Sequence, residues 1–243
     1  METGTPYNSK ARLFVTRSTT ALLRILRSKE TGQERFACVA DRLCRILAEE
    51  ALASLDDDSE DTSVETPCGL CIVKGGRFLS DEADVVIVDI MRSGAILMEA
   101  ARRLAPSAKT AKILIQRNET TAEPLLLYSK LPPNINHCEI LLCDPMLATG
   151  GSACAAIDVL KRAGVDEKKI LFVNIVTCPE GLRRLAQHAP HVRIITTAID
   201  PYLNENFFIV PGLGDFGDRY FGTFGYAEGL WGSTASASRG ETA

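Results

Sequence analysis

The sequence has no long apolar run: no stretch approaches the ~18 consecutive apolar residues of a membrane-spanning helix. It has no excess of positive charge either, since 27 Lys and Arg stand against 31 Asp and Glu in 243 residues, giving a net charge of −4. The first residues lack the basic region and apolar segment of a secretory signal. These absences predict a cytoplasmic protein that binds neither membranes nor nucleic acid.

Histidine is scarce, and the cysteines do not form a metal-binding pattern. The chain has 3 His and 8 Cys, and its Cys-x-x-Cys pair, Cys68 and Cys71, has no second pair to complete a zinc site. An even number of cysteines would suit disulfides in a short secreted chain. In this longer chain we instead expect free, buried thiols and no metal held by protein side chains.

The sequence does contain enough apolar residues for a folded core, at 46% of the chain, within the usual ~45–50% of globular proteins. Apolar residues at 3.6-residue spacing and similar patterns predict helices at 16–29, 33–54, 94–104, 152–163 and 180–187. Short β-branched runs predict strands at 70–74, 84–90, 112–116, 139–143, 169–176, 192–199 and 207–211. This alternation predicts an α/β fold with a mostly parallel sheet flanked by helices.

The chain length allows one or two domains, and the pattern favours one. We expect a flexible N-terminus at 1–15, a single domain at 16–223, and a disordered tail at 224–243, where Gly, Ser, Ala and Thr dominate. Ligands of parallel sheets bind at the carboxyl ends of the strands. The turns that follow the strands are therefore the candidate sites.

The turn after the strand at 139–143 is suited to bind a phosphorylated sugar. It reads Asp144-Pro145-Met146-Leu147-Ala148-Thr149-Gly150-Gly151-Ser152 and leads into a helix. The two glycines let backbone amides approach a phosphate, and a helix N-terminus favours negative charge. Asp144 can accept hydrogen bonds from ribose hydroxyls. The alternative is an ordinary turn with Ser152 as helix N-cap, whereas a P-loop is excluded because its Lys is absent.

Two further turns place an arginine at the end of a predicted strand. Arg92 begins the turn Arg92-Ser93-Gly94, and Arg117 precedes a polar loop. The planar guanidinium stays charged and can grip a phosphate or diphosphate through paired N–H groups. Either arginine alone is a weak signal, since surface arginines are common, but two beside a phosphate loop are more persuasive.

The segment from Phe208 to Gly222 contains two misleading motifs. Its glycines fit the dinucleotide pattern G-x-G-x-x-G outside any βαβ unit, and Asp215-Phe216-Gly217 spells the kinase DFG without a preceding catalytic loop. We interpret the segment as a tight, glycine-rich loop that closes over a small planar ligand, with Asp215 projecting into the site. The alternative is a purely structural turn.

Together these motifs resemble the uracil phosphoribosyltransferase family. The segment 144–152 looks like its phosphoribosyl-diphosphate (PRPP) signature, 211–218 resembles its uracil-binding loop, and 117–124 is similar to an Arg-led loop of its eukaryotic, protozoan-like branch. The resemblance covers about 16–223. It implies a type I phosphoribosyltransferase fold with N-terminal helices and a small base-binding hood. It also implies transfer of a phosphoribosyl group from PRPP to uracil, giving UMP and diphosphate.

The resemblance assigns a role to each candidate residue. It implies that Asp215 and Arg117 are catalytic. The residues implied to bind PRPP are Arg92, Arg117, Asp144, Pro145, Met146, Leu147, Ala148, Thr149, Gly150, Gly151, Ser152 and Asp215. Those implied to bind uracil are Ile209, Gly214, Asp215 and Phe216. It further implies Mg²⁺ bound mainly through the PRPP diphosphate, a homodimer or homotetramer, and GTP as an effector.

The sequence departs from the family pattern in one turn and leaves two alternatives open. The first arginine turn usually reads Arg-Ala-Gly, and here Ser93 takes the middle position; serine is small enough to keep the turn. One alternative function is a non-catalytic relative that senses UMP or PRPP and regulates a partner. The other is an enzyme that acts on a different base.

Overall fold

The computed structural model describes residues 4–55, 61–73, 84–117 and 124–223. Its helices are α1 (Arg17–Arg27), α2 (Gln33–Ala53), α3 (Gly94–Leu104), α4 (Gly151–Arg162), α5 (Pro179–His188) and α6 (Phe216–Phe221). Its strands are β1 (Ala11–Leu13), β2 (Thr62–Thr66), β3 (Gly69–Val73), β4 (Val85–Met91), β5 (Lys109–Arg117), β6 (Pro124–Lys130), β7 (Glu139–Cys143), β8 (Met146–Leu147), β9 (Ile170–Val173), β10 (Val176–Thr177), β11 (Arg193–Thr196), β12 (Ala198–Ile199), β13 (Tyr202–Leu203) and β14 (Ile209–Val210).

The centre of the fold is a seven-stranded sheet in the order β1-β11-β9-β7-β4-β5-β6. Neighbouring strands are parallel except for β6, which runs antiparallel to β5. Helices cover both faces: Val85 and Ile87 pack with α1, α2 and α3, while Val86 and Val88 pack with α4 and α5. The predicted mostly parallel, helix-flanked sheet is confirmed.

The N-terminal helices form where the sequence predicted them. Thr16 caps α1, since its hydroxyl accepts from the Thr19 N–H and the Thr19 side chain accepts in return. In α2 the buried residues recur at helical spacing, with Phe36, Leu43 and Leu47 fully buried. This apolar stripe holds α2 against the sheet, and none of the described helices is long and apolar enough to cross a membrane.

The run at 70–74 was predicted to be a strand of the parallel sheet. It does form a strand, but its place in the parallel sheet was predicted wrongly. Among the residues that the structure describes, β3 pairs with β2 alone, in an antiparallel hairpin whose described side chains are exposed, and it does not join the parallel sheet. An apolar run reads the same in a buried strand and in a hairpin. All eight cysteines are free, but the expected burial is wrong for Cys38, Cys68 and Cys71, which are exposed.

Small additions at the carboxyl edge of the sheet complete the fold. The predicted strands at 169–176 and 192–199 are each interrupted, and their second halves join β8 in a three-stranded sheet of order β12-β10-β8. A hairpin of β13 and β14 is followed by the short helix α6. We call this hairpin and helix, residues 202–221, the hood.

Candidate active site

The candidate residues come from strands that are neighbours in the sheet. The order β9-β7-β4-β5 places the end of β4, and with it Arg92, between the ends of β7 and β5. Asp144 directly follows β7, and Arg117 is the last residue of β5. Because these strands are parallel, the three turns lie at one edge of the sheet, where ligands of such folds bind.

The loop at 144–152 ends at the N-terminus of α4. Gly150 is the N-cap, with a φ of 77° that favours glycine. The alternative interpretation, with Ser152 as N-cap, is therefore wrong in that detail, because Gly151 begins the helix and Ser152 lies in its first turn. The described first turn of α4 contains no acidic residue, so its N–H groups can attract an anion without competition.

Residues of β10 and α5 pack closely against the backbone of this loop. A Cβ on Gly181 would lie 2.5 Å from the carbonyl oxygen of Ala148, so no larger residue fits there. The Thr177 hydroxyl donates to the carbonyl of Leu147 at 3.0 Å, and β8 pairs with β10 beside it. Packing, a side-chain hydrogen bond and strand pairing thus all support the backbone of this loop.

The arginine turn contacts the start of the loop at 144–152 and the strand that leads into it. A Cβ on Gly94 would lie 2.3 Å from the carbonyl oxygen of Cys143, the residue before Asp144. The Ser93 hydroxyl donates to Oδ1 of Asp144 at 3.4 Å. The Met91–Arg92 peptide bond is cis. The structure therefore brings together the two turns that the sequence analysis singled out separately.

The Arg92 side chain reaches from this turn to the hood. Its Nη2 donates to Oδ1 of Asp218 at 2.6 Å and lies 3.9 Å from Oδ1 of Asp215. Its Nη1 donates to the Thr223 hydroxyl at 2.9 Å. The guanidinium also lies over the Phe221 ring, 5.7 Å from its centre. With 51% of the side chain exposed, Arg92 remains accessible to a ligand.

We call the segment 211–218 the base loop, after the role that the family resemblance implies for it. It makes a tight turn after β14 and runs into the first residues of α6. Gly212 has a φ of 55°, and a Cβ there would lie 2.1 Å from the carbonyl oxygen of Ile209. Ile209 and Phe216 are buried, and the Phe216 ring packs edge-on against Phe36 at 5.3 Å. Phe216 as a whole is only 1% exposed, whereas Gly214 and Asp215 before it are partly exposed. These two residues are the part of the turn that a planar ligand can reach.

Asp215 does more than project from a loop. Its carboxylate caps α6 by accepting from the Asp218 N–H at 2.8 Å, and 43% of the side chain is exposed. Burial raises its pKa above the ordinary value, and the nearby Asp218 charge adds to this, while backbone N–H groups and Arg92 act in the opposite direction. Asp215 is thus a partly buried carboxylate at the start of α6, close to Arg92.

Two segments with predicted features, the loop that follows Arg117 and the C-terminal tail, lie outside the described residues. The backbone of Arg117 pairs with Pro124 across β5 and β6, but the Arg117 side chain and residues 118–123 lie outside the described residues. The tail at 224–243 also lies outside them. The position of Arg117 at the end of β5 is the part of its role that the structure describes.

Sequence reasoning missed two residues that bind the Arg92 side chain. Asp218 lies within the segment 211–218 that resembles the uracil-binding loop, and Thr223 lies just beyond α6, yet neither was assigned a role. A signal existed, because an acid three residues after an N-capping Asp is typical of a first helical turn. The short helix was hidden by two glycines, Gly214 before it and Gly217 within it, which favoured a loop interpretation.

Comparisons with known proteins agree with the motifs. A family model for uracil phosphoribosyltransferase matches residues 14–223. A uracil phosphoribosyltransferase of Dictyostelium discoideum is 44% identical over 202 residues, covering 83% of this chain and 91% of the relative. One from Saccharomyces cerevisiae is 39% identical over 216 residues, covering 89% and 97%.

A solved structure shares the fold. The AQ2163 protein from Aquifex aeolicus superposes with a TM-score of 0.74 at 30% identity, covering 89% of this chain and all of that one. The match to the family model, at 14–223, includes the hood and every strand of the central sheet except β1. The chain therefore belongs to the uracil phosphoribosyltransferase family, as its motifs predicted.

Proposed function

We propose that this member of the family transfers the phosphoribosyl group of PRPP to uracil, giving UMP and diphosphate. The observation that carries the proposal is the convergence of three turns on one edge of the sheet. Ser93 joins the arginine turn to Asp144 at 3.4 Å, and Arg92 joins it to the hood through Asp218 and Asp215. A sugar phosphate, a diphosphate and a base need three such adjacent subsites.

The loop at 144–152 suits the ribose 5′-phosphate. Backbone N–H groups at the start of α4 face the loop and favour a dianion, an effect worth about 0.3–1 kcal/mol per exposed charge and more when sheltered. The Thr149 and Ser152 hydroxyls can add donors, and Asp144 can accept from ribose hydroxyls. Pro145 and Leu147 are buried and shape the loop, so they would contact PRPP only through backbone groups.

The diphosphate would lie at the arginine turns. Arg92 is half exposed and always charged, so it can exchange Asp218 for a phosphate oxygen when PRPP binds. Arg117, at the end of the neighbouring strand, is proposed as the second contact on the same family resemblance. Stabilising the departing diphosphate is the electrostatic part of the proposed catalysis.

Uracil would be recognised by the backbone of the base loop. Uracil presents an N3–H donor between two carbonyl acceptors, and peptide groups near Ile209, Gly214 and Phe216 can match that pattern. Cytosine replaces one acceptor by an amino donor, which would leave a backbone N–H unpaired. Such a mismatch discriminates by roughly 10⁴-fold, so we expect strong preference for uracil. Asp215, beside both subsites, is proposed to act on the base during transfer.

The residues of the site fit Mg²⁺ that arrives with PRPP. In the part of the chain that the structure describes, no cluster of three or more His, Cys, Asp or Glu could hold a metal ion. Protein-bound Mg²⁺ commonly keeps water ligands and uses one or two carboxylates together with substrate phosphates. Asp144 and Asp215 are the carboxylates available for that. When bound, Mg²⁺ would neutralise charge on the diphosphate.

Catalysis would then rest on positioning more than on a strong base. Uracil is a weak nucleophile, and attack at the anomeric carbon passes through an oxocarbenium-like state. Rigid loops that hold base and ribose in contact lower the barrier by removing rotational and translational freedom. Exclusion of water matters as well, because hydrolysis of PRPP competes with transfer.

The remaining expectations concern assembly and regulation. We propose a homodimer or homotetramer, which is supported by four consecutive exposed apolar residues on the edge strand β6, Leu125, Leu126, Leu127 and Tyr128. GTP as an effector and a cytoplasmic location rest on the resemblance and on composition. Light scattering tests the oligomeric state, and the rate of UMP formation with and without GTP tests the effector.

One assay separates the proposed function from its alternatives. The protein is incubated with Mg²⁺, PRPP and, in separate reactions, uracil, cytosine, hypoxanthine or adenine, and nucleotide products are resolved. The proposal is supported if UMP forms in the reaction with uracil and no nucleotide forms with the other three bases. A nucleotide from another base supports the different-base alternative. Binding of UMP or PRPP without turnover supports the sensor, against which the intact loops at Arg92 and 144–152 argue.

A further inference from the structure

An ion pair lies behind the base loop, outside the residues assigned to either substrate. Arg27, the last residue of α1, donates from Nη1 and Nη2 to the two carboxylate oxygens of Asp200, at 2.6 and 2.7 Å. Asp200 stands between β12 and β13 and is buried. The paired, two-bond geometry fixes both the distance and the orientation of the two side chains.

This pair holds both hydrogen-bonding groups of one loop residue. The Gly212 N–H donates to Oδ2 of Asp200 at 2.8 Å, and the Gly212 carbonyl accepts from Nη1 of Arg27 at 2.8 Å. Gly212 is the residue whose φ of 55° makes the tight turn. The ion pair therefore determines where the loop turns toward Gly214.

A second arginine holds the next carbonyl. Arg219, 3% exposed, donates to the carbonyl of Leu213 and to those of Leu26 and Ser28. Its guanidinium lies over the Phe36 ring, 4.4 Å from the centre. Two consecutive peptide carbonyls before Gly214 are thus tied to the end of α1. Arg219 also supports α6 and the core, so it is the less selective residue to test.

We propose that Arg27 and Asp200 are positioning residues for base recognition, which set the selectivity for uracil over cytosine without touching the base. Backbone groups read a base only if they are placed to within a fraction of an ångström. The pair fixes the backbone that leads into the groups proposed to contact uracil. This inference rests on the proposed function, because it assumes that the base loop binds uracil.

The structure predicts that the effect is confined to one substrate. The side-chain hydrogen bonds given above for Arg27 and Asp200 end on each other and on Gly212. The Asp200 backbone N–H also donates to the carbonyl of Thr177 at 2.8 Å, a contact that a substitution of either side chain leaves in place. The loop at 144–152 is instead supported by Thr177 and Gly181, and Arg92 by Asp218. Loosening the pair should therefore weaken recognition of uracil and leave recognition of PRPP unchanged.

The test compares Arg27→Met and Arg27→Lys with Arg12→Met. Arg12 is a matched control. Its side chain forms an ion pair with Glu50 at 2.6 Å and is 25% exposed, the same distance and exposure that Arg27 has in its pair with Asp200. The Arg12 pair, however, joins β1 to α2 and does not contact the base loop. For each variant we measure kcat, KM for uracil, KM for PRPP, the ratio of kcat/KM for uracil and cytosine, and the Tm.

We expect Arg27→Met to raise KM for uracil by about tenfold and to lower the uracil-to-cytosine ratio by about tenfold or more. KM for PRPP should change less than about twofold. Arg27→Lys keeps the charge but not the paired geometry, so it should restore part of the ratio. Arg12→Met should leave all kinetic constants near those of the wild type.

Three results would overturn the inference. These are an unchanged uracil KM and base ratio in Arg27→Met, equal increases in KM for both substrates, or the same changes in Arg12→Met. If Arg27→Met does not fold, Arg27→Lys and Asp200→Asn decide by the same ratio. Failure of the proposed function is distinct, since the wild-type protein would then form no UMP.

Discussion

Nη2 of Arg92 donates to Oδ1 of Asp218 at 2.6 Å, which joins the turn after β4 to the first turn of α6. The turn is the proposed diphosphate subsite, and the helix begins at the proposed uracil subsite. One exposed guanidinium therefore links the two proposed subsites. Diphosphate would compete with Asp218 for that guanidinium. Because Asp215 lies 3.9 Å from Arg92, the exchange would change the electrostatic surroundings of the Asp215 carboxylate.

This coupling predicts opposite effects of two substitutions on the Asp215 carboxyl. Burial and the Asp218 charge raise the pKa of Asp215, whereas Arg92 lowers it. Asp218→Asn should therefore lower the pKa of Asp215 below its value in the wild-type protein, and Arg92→Gln should raise it. Titration of the selectively labelled carboxyl carbon by NMR in the substrate-free protein measures both shifts. Shifts of equal sign would mean that these charges do not control Asp215.

Asp215→Asn separates the chemical role of this residue from its structural one. The amide oxygen of Asn can still accept from the Asp218 N–H and cap α6, so the Tm should hardly change. Loss of the carboxylate should lower kcat by about 10²-fold. Asp215→Ala should show the same loss of activity and also cost about 1 kcal/mol of stability, since the cap is lost. Full activity of the Asn variant would remove Asp215 from catalysis.

Gly94→Ala tests the contact between the arginine turn and the strand that leads to Asp144. A methyl group at Gly94 would lie 2.3 Å from the carbonyl oxygen of Cys143, a backbone atom in the middle of the sheet. We expect a loss of about 1–3 kcal/mol in the free energy of unfolding and a marked rise in KM for PRPP. Gly32→Ala is the control, because no atom lies within 4 Å of the added Cβ. If both variants behave alike in urea unfolding and kinetics, the close approach is unimportant.

Lys112→Met tests a buried charge that supports β4. Asp89 is fully buried, and its carboxylate lies 3.2 Å from Nζ of Lys112. Burial raises the pKa of Asp89, and Lys112 opposes that rise. Removing Lys112 leaves a buried carboxylate unpaired, which should cost about 1–3 kcal/mol near neutral pH.

The pH dependence of that cost follows from its sign. The substitution raises the folded-state pKa of Asp89 further, so the ionised carboxyl destabilises the folded protein above that pKa. The cost should shrink as the pH falls through it, because the carboxyl takes up a proton. Urea unfolding of wild type and variant near neutral pH and at about pH 5 measures the difference. A cost that is constant or larger in acid contradicts this account, and exposed Lys130→Met serves as control.

Much of the fold could be predicted because its helices and central strands have strong periodicity. The helix expected at 94–104 runs from Gly94 to Leu104, and that expected at 180–187 from Pro179 to His188. Strands buried on both faces, such as β4, appear as continuous apolar runs. Arg92 and Asp144 could be placed in one site because parallel strands bring their carboxyl ends to one edge of the sheet.

The remainder depended on tertiary contacts that no local pattern encodes. The run at 70–74 has the composition of a core strand, yet within the described part of the chain β3 pairs with its neighbour β2 alone. Helix α6 contains only six residues, so its periodicity is too short to detect. The Arg27–Asp200 pair joins residues 173 positions apart, and its relation to Gly212 became visible only once the chain was folded.

The central claim is that the turns at Arg92, Asp144 and Gly214 form one site for PRPP and uracil. The most direct test is incubation of the purified protein with Mg²⁺, PRPP and labelled uracil, followed by quantitation of UMP and diphosphate. We predict that both products form in equal amounts and only when PRPP and uracil are present together. Recovery of both substrates unchanged from a folded, PRPP-binding protein would contradict the claim.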